Sequence, residues 1–347
     1  MSRSKLSRRD AIRNFTGAAA LFGLPANEIL AEPRQLPPDS VFSADSDEYW
    51  NRLRNDQFLM PNVQAFLNNG SLGVTPRSVL NAVVTYMEKA AELDVGELQV
   101  EPYPRWGYET LDAERSAISE FIGCRKDELA ITHNATEAMS IIAGGILLPR
   151  DSEVLLTDQE HPSGRDPWKV REAKGELKTR IVKLPLPPKS PEQLVDVIIS
   201  AIGPKTRILS FSGITSPTGL LMPIREICDA ARERGVITVI DGAHMTGQVP
   251  TRIDDMHCDY FAGSPHKWLF APAGSGVLYI SEGRLDEHYP VIATAGWDDK
   301  AMKAARFMRF GTNNRAIIEG FMAGLDFAKA IGPDRIYDRI HELAVGT

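Results

Sequence analysis

From residue 129 to residue 281 short apolar runs alternate with amphipathic stretches. The run VITVID (236–241) is almost wholly apolar up to its last residue, as a strand buried on both faces of a parallel sheet must be. LAIT (129–132), EVLLTD (153–158), TRIVKL (179–184), RILSFSG (207–213), DYFAGS (259–264) and GVLYIS (276–281) read as further strands. Helical patterns stand between them. PIREICDAARERG (223–235) places Ile224, Ile227, Cys228 and Ala231 at i, i+3, i+4 and i+7, and PEQLVDVIISAIG (191–203) reads likewise. Two more helices are expected to begin near Thr136 and after Pro162. Strands separated by helices predict an α/β fold with a mainly parallel, seven-stranded sheet covered by helices.

Outside this block, Thr75-Pro76 reads as a cap and first-turn proline opening a helix to about Leu93. A second helix is expected from Tyr108 to Ile122, ended by Gly123. The apolar fraction of 43% over 347 residues suits a soluble globular chain with a sizeable core. A net charge of -7, with no basic stripe beyond the first residues, argues against nucleic acid as a partner. Cys124, Cys228 and Cys258 share no metal-ligand spacing, and the last two suit core packing. No GxGxxG follows an early strand, which disfavours a nicotinamide enzyme.

The first 31 residues read as an address. Ser7-Arg8-Arg9, Ile12 and Arg13 resemble a twin-arginine export signal, although Ala11 departs from the usual aromatic. A modest apolar stretch runs from Phe15 to Leu24, and Ala31 before Glu32 is a plausible cleavage point; a disordered basic tail is the plainer alternative. The expected destination is periplasmic or exported, with no membrane contact after signal removal. Residues 32–60 then form a linker, with Leu36-Pro37-Pro38, and a helix. Residues 61–315 are expected to form the large domain, and 316–347 to begin a small C-terminal domain, most of which is expected beyond residue 347.

Ligands in such sheets bind at the carboxyl ends of strands. Thr132-His133-Asn134-Ala135-Thr136 follows LAIT; Thr136 is expected to cap the next helix, whose free N–H groups suit a phosphate, although ordinary capping explains the stretch as well. Asp241 ends VITVID, where a carboxylate needs a partner: a helix terminus, an arginine or a ligand cation. His244 lies three residues later. Lys267 follows Asp241 by 26 residues, one strand further on, with Ser264 and His266 beside it. A lone lysine is usually a surface residue. Desolvated near His266, it has a lowered pKa and a nucleophilic amine. Phosphate site, carboxylate and amine on neighbouring strand ends together describe pyridoxal 5′-phosphate chemistry.

These residues resemble the class V aminotransferase family of pyridoxal-phosphate enzymes, of fold type I, from FLNNGSLGVTP (66–76) to RFGTNN (309–314). The matching pattern is ATEA (135–138), Asp241-x-x-His244 and Ser264-x-His266-Lys267. The resemblance implies that Lys267 is the Schiff-base lysine and Asp241 the pyridinium partner. It places the His161 imidazole over the cofactor ring, Ala135 and Thr136 at the phosphate turn, and Ser264 and His266 as added donors. Thr312 is implied to reach the phosphate of a neighbouring subunit, hence a homodimer with shared active sites. His244 stands where relatives carry glutamine and can still bond the phenolic oxygen. Ser216 stands where the cysteine desulfurase branch carries asparagine.

FLNNGSLG, EHPSGRDPW, TSPTG and RFMRFGT look most like the isopenicillin N epimerase-like branch. That implies chemistry at the α-carbon of an amino acid as small-molecule substrate, as an epimerase or aminotransferase. A cysteine desulfurase or C–S lyase of the same family is the alternative, although none of the three cysteines suits a loop thiolate. A catalytically lapsed cofactor-binding protein is the alternative from another class. The family's loop cysteine and substrate-carboxylate arginine are expected beyond residue 347.

Overall fold

The computed structural model describes residues 35–60, 65–91 and 107–346. The export signal expected at 1–31 and the helix end expected at Leu93 lie outside the described residues. Helices α1 (Asp39–Ala44), α2 (Ser46–Gln57), α3 (Arg77–Ala91) and α4 (Asp112–Ile122) precede the sheet. There follow β1 (Leu129–Thr132), α5 (Ala135–Gly145), β2 (Glu153–Thr157), α6 (Pro162–Ala173), β3 (Lys178–Val182), α7 (Pro191–Ser200) and β4 (Thr206–Ser212). Then come α8 (Ile224–Arg232), β5 (Ile237–Gly242), β6 (Tyr260–Gly263), β7 (Gly276–Ile280), α9 (Arg315–Ile331) and α10 (Pro333–Gly346).

The seven strands form one sheet in the order β1-β7-β6-β5-β4-β2-β3. Only β7 runs antiparallel to its neighbours, β1 and β6. Every residue of β1, β6 and β7 is buried, so both faces are covered. The apolar runs follow from that: each fully buried Val, Ile or Leu contributes about 1.5–3 kcal/mol. α5 lies against β1, β5, β6 and β7 and packs on α6, while α8 packs on α7 and β5. Ile224, Ile227, Cys228 and Ala231 are the buried face of α8, as their spacing requires. Cys258 is buried as well.

Several boundaries differ from the sequence reading. The second helix begins at Asp112, not Tyr108, because Leu111 takes a left-handed φ of 48° and turns the chain in. It does end at Gly123, whose φ of 67° suits glycine. The cap of α5 is Asn134, whose Oδ1 accepts from Glu137 N at 2.8 Å, and not Thr136. The stretch around Pro37 is no free linker: Pro37 is buried and Leu36 packs on the core. It leads into two helices, where one was expected. Arg335 and Arg339 of α10 pair with Asp39 and Asp47, so this N-terminal part is tied to the last helix.

Candidate active site

The carboxyl ends of β1, β2, β4, β5 and β6 converge on one cavity of about 620 Å³. Ala135, Thr136, His161, Ser216, Asp241, His244, Ser264, His266 and Lys267 all line it. Of the expected site residues only Thr312 does not. It is exposed on the loop before α9, with its hydroxyl 3.5 Å from the Tyr108 hydroxyl.

The β1 turn delivers the N-terminus of α5. Asn134 holds the first turn, and the Ala135 amide donates to Ser264 Oγ at 3.1 Å. That bond joins the ends of β1 and β6, residues 129 positions apart. Ser264 is buried and Thr136 is exposed to the cavity. His266 uses Nδ1 on the Ser275 carbonyl at 2.8 Å, and burial lowers its pKa. Neutral His266 therefore keeps its proton on Nδ1 and presents Nε2 as an acceptor; it adds a donor to a phosphate only when protonated.

Asp241 is the fifth residue of β5, 5% exposed. Its Oδ1 accepts from Ala243 N at 3.0 Å. Burial raises its pKa, while that amide and the nearby Lys267 and His161 pull it down. Its other oxygen lies against Gly164 in the first turn of α6, where a Cβ would stand 2.7 Å away. His161 caps that helix: its Nδ1 accepts from Ser163 N at 3.1 Å, which leaves the ring proton on Nε2.

Lys267 lies in a single helical turn, Pro265–Trp268, after β6. Its Nζ is 3.2 Å from His244 Nε2. Burial lowers the Lys267 pKa, and Asp241 opposes that shift. The histidine in contact with the amine is thus His244, not the adjacent His266. Burial, with the Lys267 and His161 charges adding, lowers the His244 pKa to about 4, so its ring is neutral near pH 7. The loop of residues 68–73 closes over this pair. A Cβ on Gly70 would stand 2.9 Å from His244 Cε1, and one on Gly73 would stand 2.2 Å from the Lys267 carbonyl oxygen. Gly73 N also donates to the His266 carbonyl at 2.8 Å.

Sequence reasoning missed Gly70, Gly73, Gly164, His133 and Glu160. Each lies within or next to a quoted motif, but their importance comes from contacts with other strand ends. His133 faces the cavity between Glu137, at 2.8 Å from Nδ1, and Asn313, at 2.6 Å from Nε2.

The donor set is a helix N-terminus with hydroxyls, a buried carboxyl and a half-buried amine. It fits a molecule bearing a phosphate, a basic ring nitrogen and an aldehyde.

The sequence profile described as "Aminotransferase class-V" matches residues 66–346. Isopenicillin N epimerase of Streptomyces clavuligerus is 34% identical over 310 residues, 85% of this chain and 76% of that protein. The same enzyme from Amycolatopsis lactamdurans is 33% identical, over 86% and 77% of the two chains. A probable cysteine desulfurase of Halalkalibacterium halodurans is 29% identical over 83% and 72%. Among solved structures, a complex of the cystine C–S lyase C-DES with cysteine persulfide superposes with a TM-score of 0.67. It is 25% identical, over 78% of this chain and 73% of that one. An apo cysteine desulfurase from Thermococcus onnurineus NA1 shares the fold, with a TM-score of 0.70 at 21% identity over 90% and 75%. The chain belongs to the class V aminotransferase family of pyridoxal-phosphate enzymes, in its isopenicillin N epimerase-like branch.

Proposed function

We propose that the protein is an amino-acid epimerase that removes and returns the α-proton of its substrate. The observation that carries this is the Lys267 amine, half-buried, in contact with a neutral His244 and beside Asp241. When bound, pyridoxal 5′-phosphate supplies an aldehyde carbon and a protonated ring that draws electrons from the substrate's α-carbon. Ala135, Thr136 and Ser264 would hold its phosphate, with His266 joining when protonated. Asp241 would keep the ring nitrogen protonated, and His161 would pack on the ring face. Desolvation favours the neutral Lys267 amine, which makes it a base able to take or give a proton on one face of the α-carbon, while a water serves the opposite face so that the return inverts the centre. His244 Nε2, 3.2 Å away, either accepts a hydrogen bond from the amine or donates one to it, according to tautomer, and so orients the amine.

The same residues serve transamination; the two epimerase relatives favour the epimerase reading. Desulfuration by a cysteine of this chain is disfavoured. None of Cys124, Cys228 and Cys258 lines the cavity. Burial raises all three thiol pKa values, that of Cys228 to about 12, which suppresses the thiolate.

The test has two parts. Borohydride reduction of the cofactor-loaded protein should leave a pyridoxyl group on the Lys267 peptide, and Lys267→Ala should carry none. An amino-acid panel in deuterated water should then show deuterium at the α-carbon with loss of chirality and no keto acid. Keto acid formation would move the reading to an aminotransferase, and sulfide or persulfide release would move it to a lyase.

Two further assignments belong to this proposal. Thr312, exposed and outside its own chain's cavity, suits a role at a second copy's site, which makes the enzyme a homodimer; light scattering on the eluting protein tests this. Ser7-Arg8-Arg9 directs export through the twin-arginine route, and substitution of both arginines by lysine should retain the protein in the cytoplasm.

A further inference from the structure

Behind Asp241 sits a second buried carboxyl that the proposed reaction leaves idle. Glu160 closes the turn between β2 and α6, directly before His161. Its Oε1 accepts from Thr157 Oγ1 at 2.5 Å and its Oε2 from Ser212 Oγ at 2.8 Å. Thr157 is the last residue of β2 and Ser212 the last of β4. Ser212 is the register partner of Asp241 across β4 and β5. The carboxyl therefore pins the turn carrying His161 to two strand ends and lies one strand away from Asp241.

Around Glu160 the groups bonded to it from β2 and β4 are hydroxyls, Asp241 of β5 adds a like charge, and His161 follows it in the same turn. Burial raises the Glu160 pKa to about 7; the two hydroxyl hydrogen bonds oppose this and the Asp241 charge adds to it. The Asp241 charge disfavours ionisation of Glu160, so the proton on Glu160 depends on the charge state of Asp241.

We propose that Glu160 is a positioning residue for Asp241: it holds the His161 turn to the sheet and, by keeping or losing its own proton, sets how strongly Asp241 attracts a positive charge in the cavity. The second half rests on Asp241 facing the cofactor's ring nitrogen. A protonated Glu160 leaves one negative charge behind the ring, and an ionised Glu160 leaves two. The proton affinity of the ring nitrogen should therefore follow the state of Glu160.

Glu160→Gln keeps the size of the side chain and its ability to bond both hydroxyls, and removes the titration. Cofactor-free wild type, Glu160→Gln, Asp241→Asn and the double variant are unfolded in urea at pH 5 and pH 8. A carboxyl whose pKa is higher folded than unfolded destabilises the fold as it ionises. Stability conferred by its proton is present at low pH and falls between the ordinary 4.5 and about 7. The wild-type unfolding constant, relative to that of Glu160→Gln, should therefore rise roughly fifty- to a hundredfold from pH 5 to pH 8. In the Asp241→Asn background the rise should be smaller. A ratio that does not change with pH, or an equal change in both backgrounds, overturns the proposal.

A second measurement reads the cofactor. With pyridoxal 5′-phosphate labelled with nitrogen-15 in its ring, the chemical shift of that nitrogen reports its proton. Glu160→Gln should show about tenfold lower proton affinity at the ring above pH 7 than wild type, as for one charge lost at an effective dielectric of about 20. An unchanged titration overturns the link to the ring. If neither protein takes up the labelled cofactor, the active-site reading fails and the link to the ring falls with it, while the urea comparison still decides the coupling of the two carboxyls.

Discussion

Alanine at Gly164 presses directly on the oxygen of Asp241 that lies against α6. Gly164 is buried in the first turn of α6, with its amide bonded to the His161 carbonyl at 2.9 Å. A Cβ there would stand 2.7 Å from Asp241 Oδ2 and 3.6 Å from that side chain's Cβ and Cγ. An unstrained carbon–oxygen contact is about 3.3 Å, so one partner must yield by about 0.6 Å. Oδ1 is tethered to Ala243 N at 3.0 Å, and the Asp241 backbone is fixed in the sheet between β4 and β6. The shift therefore falls on Oδ2 or on the helix turn that begins at His161. Overpacking of this kind costs about 1–3 kcal/mol of stability. A displaced carboxylate also forfeits much of a charge-assisted hydrogen bond, worth about 1.5–3 kcal/mol. The dissociation constant for pyridoxal 5′-phosphate should rise about 10- to 100-fold. Absorbance titration of the cofactor into the variant measures this, and a thermal melt of the cofactor-free protein separates the stability loss. Gly283→Ala, where a Cβ meets nothing within 4 Å, is the control. A Gly164→Ala protein that binds the cofactor as tightly as wild type would refute the assignment of Asp241 to the ring nitrogen.

Lys267→Met should raise the melting temperature of the cofactor-free protein near pH 7, since it removes a charge that burial disfavours. The sign with pH is definite: a lysine whose folded pKa lies below its unfolded value destabilises while charged, so the gain should shrink as pH rises from the folded pKa towards the unfolded one. A constant gain across that range would mean that packing, not charge, is responsible. Ser264→Ala removes the acceptor of the Ala135 amide and should cost about 1–2 kcal/mol in a urea melt. If that amide and hydroxyl belong to the phosphate site, the stabilisation that inorganic phosphate gives the wild type should also diminish; an undiminished effect would place the anion elsewhere.

Much of the fold could be read without coordinates because burial on both sheet faces leaves little room for polar residues within a strand. LAIT, VITVID and GVLYIS are apolar for that reason, and Asp241 and Lys267 stood out as polar groups where those runs end. Local chemistry misled at helix starts. Thr136 and Asn134 are both good caps, and the φ of -174° at Asn134 shows which of them remains outside the helix. Tyr108 to Leu111 carries no helix breaker, yet a left-handed Leu111 sets the boundary at Asp112. Lys267 was correctly expected to be desolvated, but its contact with His244 spans 23 positions and has no sequence signal.

Periodicity, the carboxylate and amine at strand ends, and their spacing determined the α/β class, the cavity's location and its chemical kind. These follow from local patterns, since a strand's burial and its last residue are written consecutively. Tertiary structure alone decided which groups touch. Glycines at 70, 73 and 164 matter because side chains and backbone from other strand ends come within 3 Å of where a Cβ would be. Glu160 looks in sequence like an ordinary solvated loop residue. It becomes a buried partner of Asp241 only because β4 lies between β2 and β5 in the sheet, and strand order is set by long-range packing that no local stretch encodes.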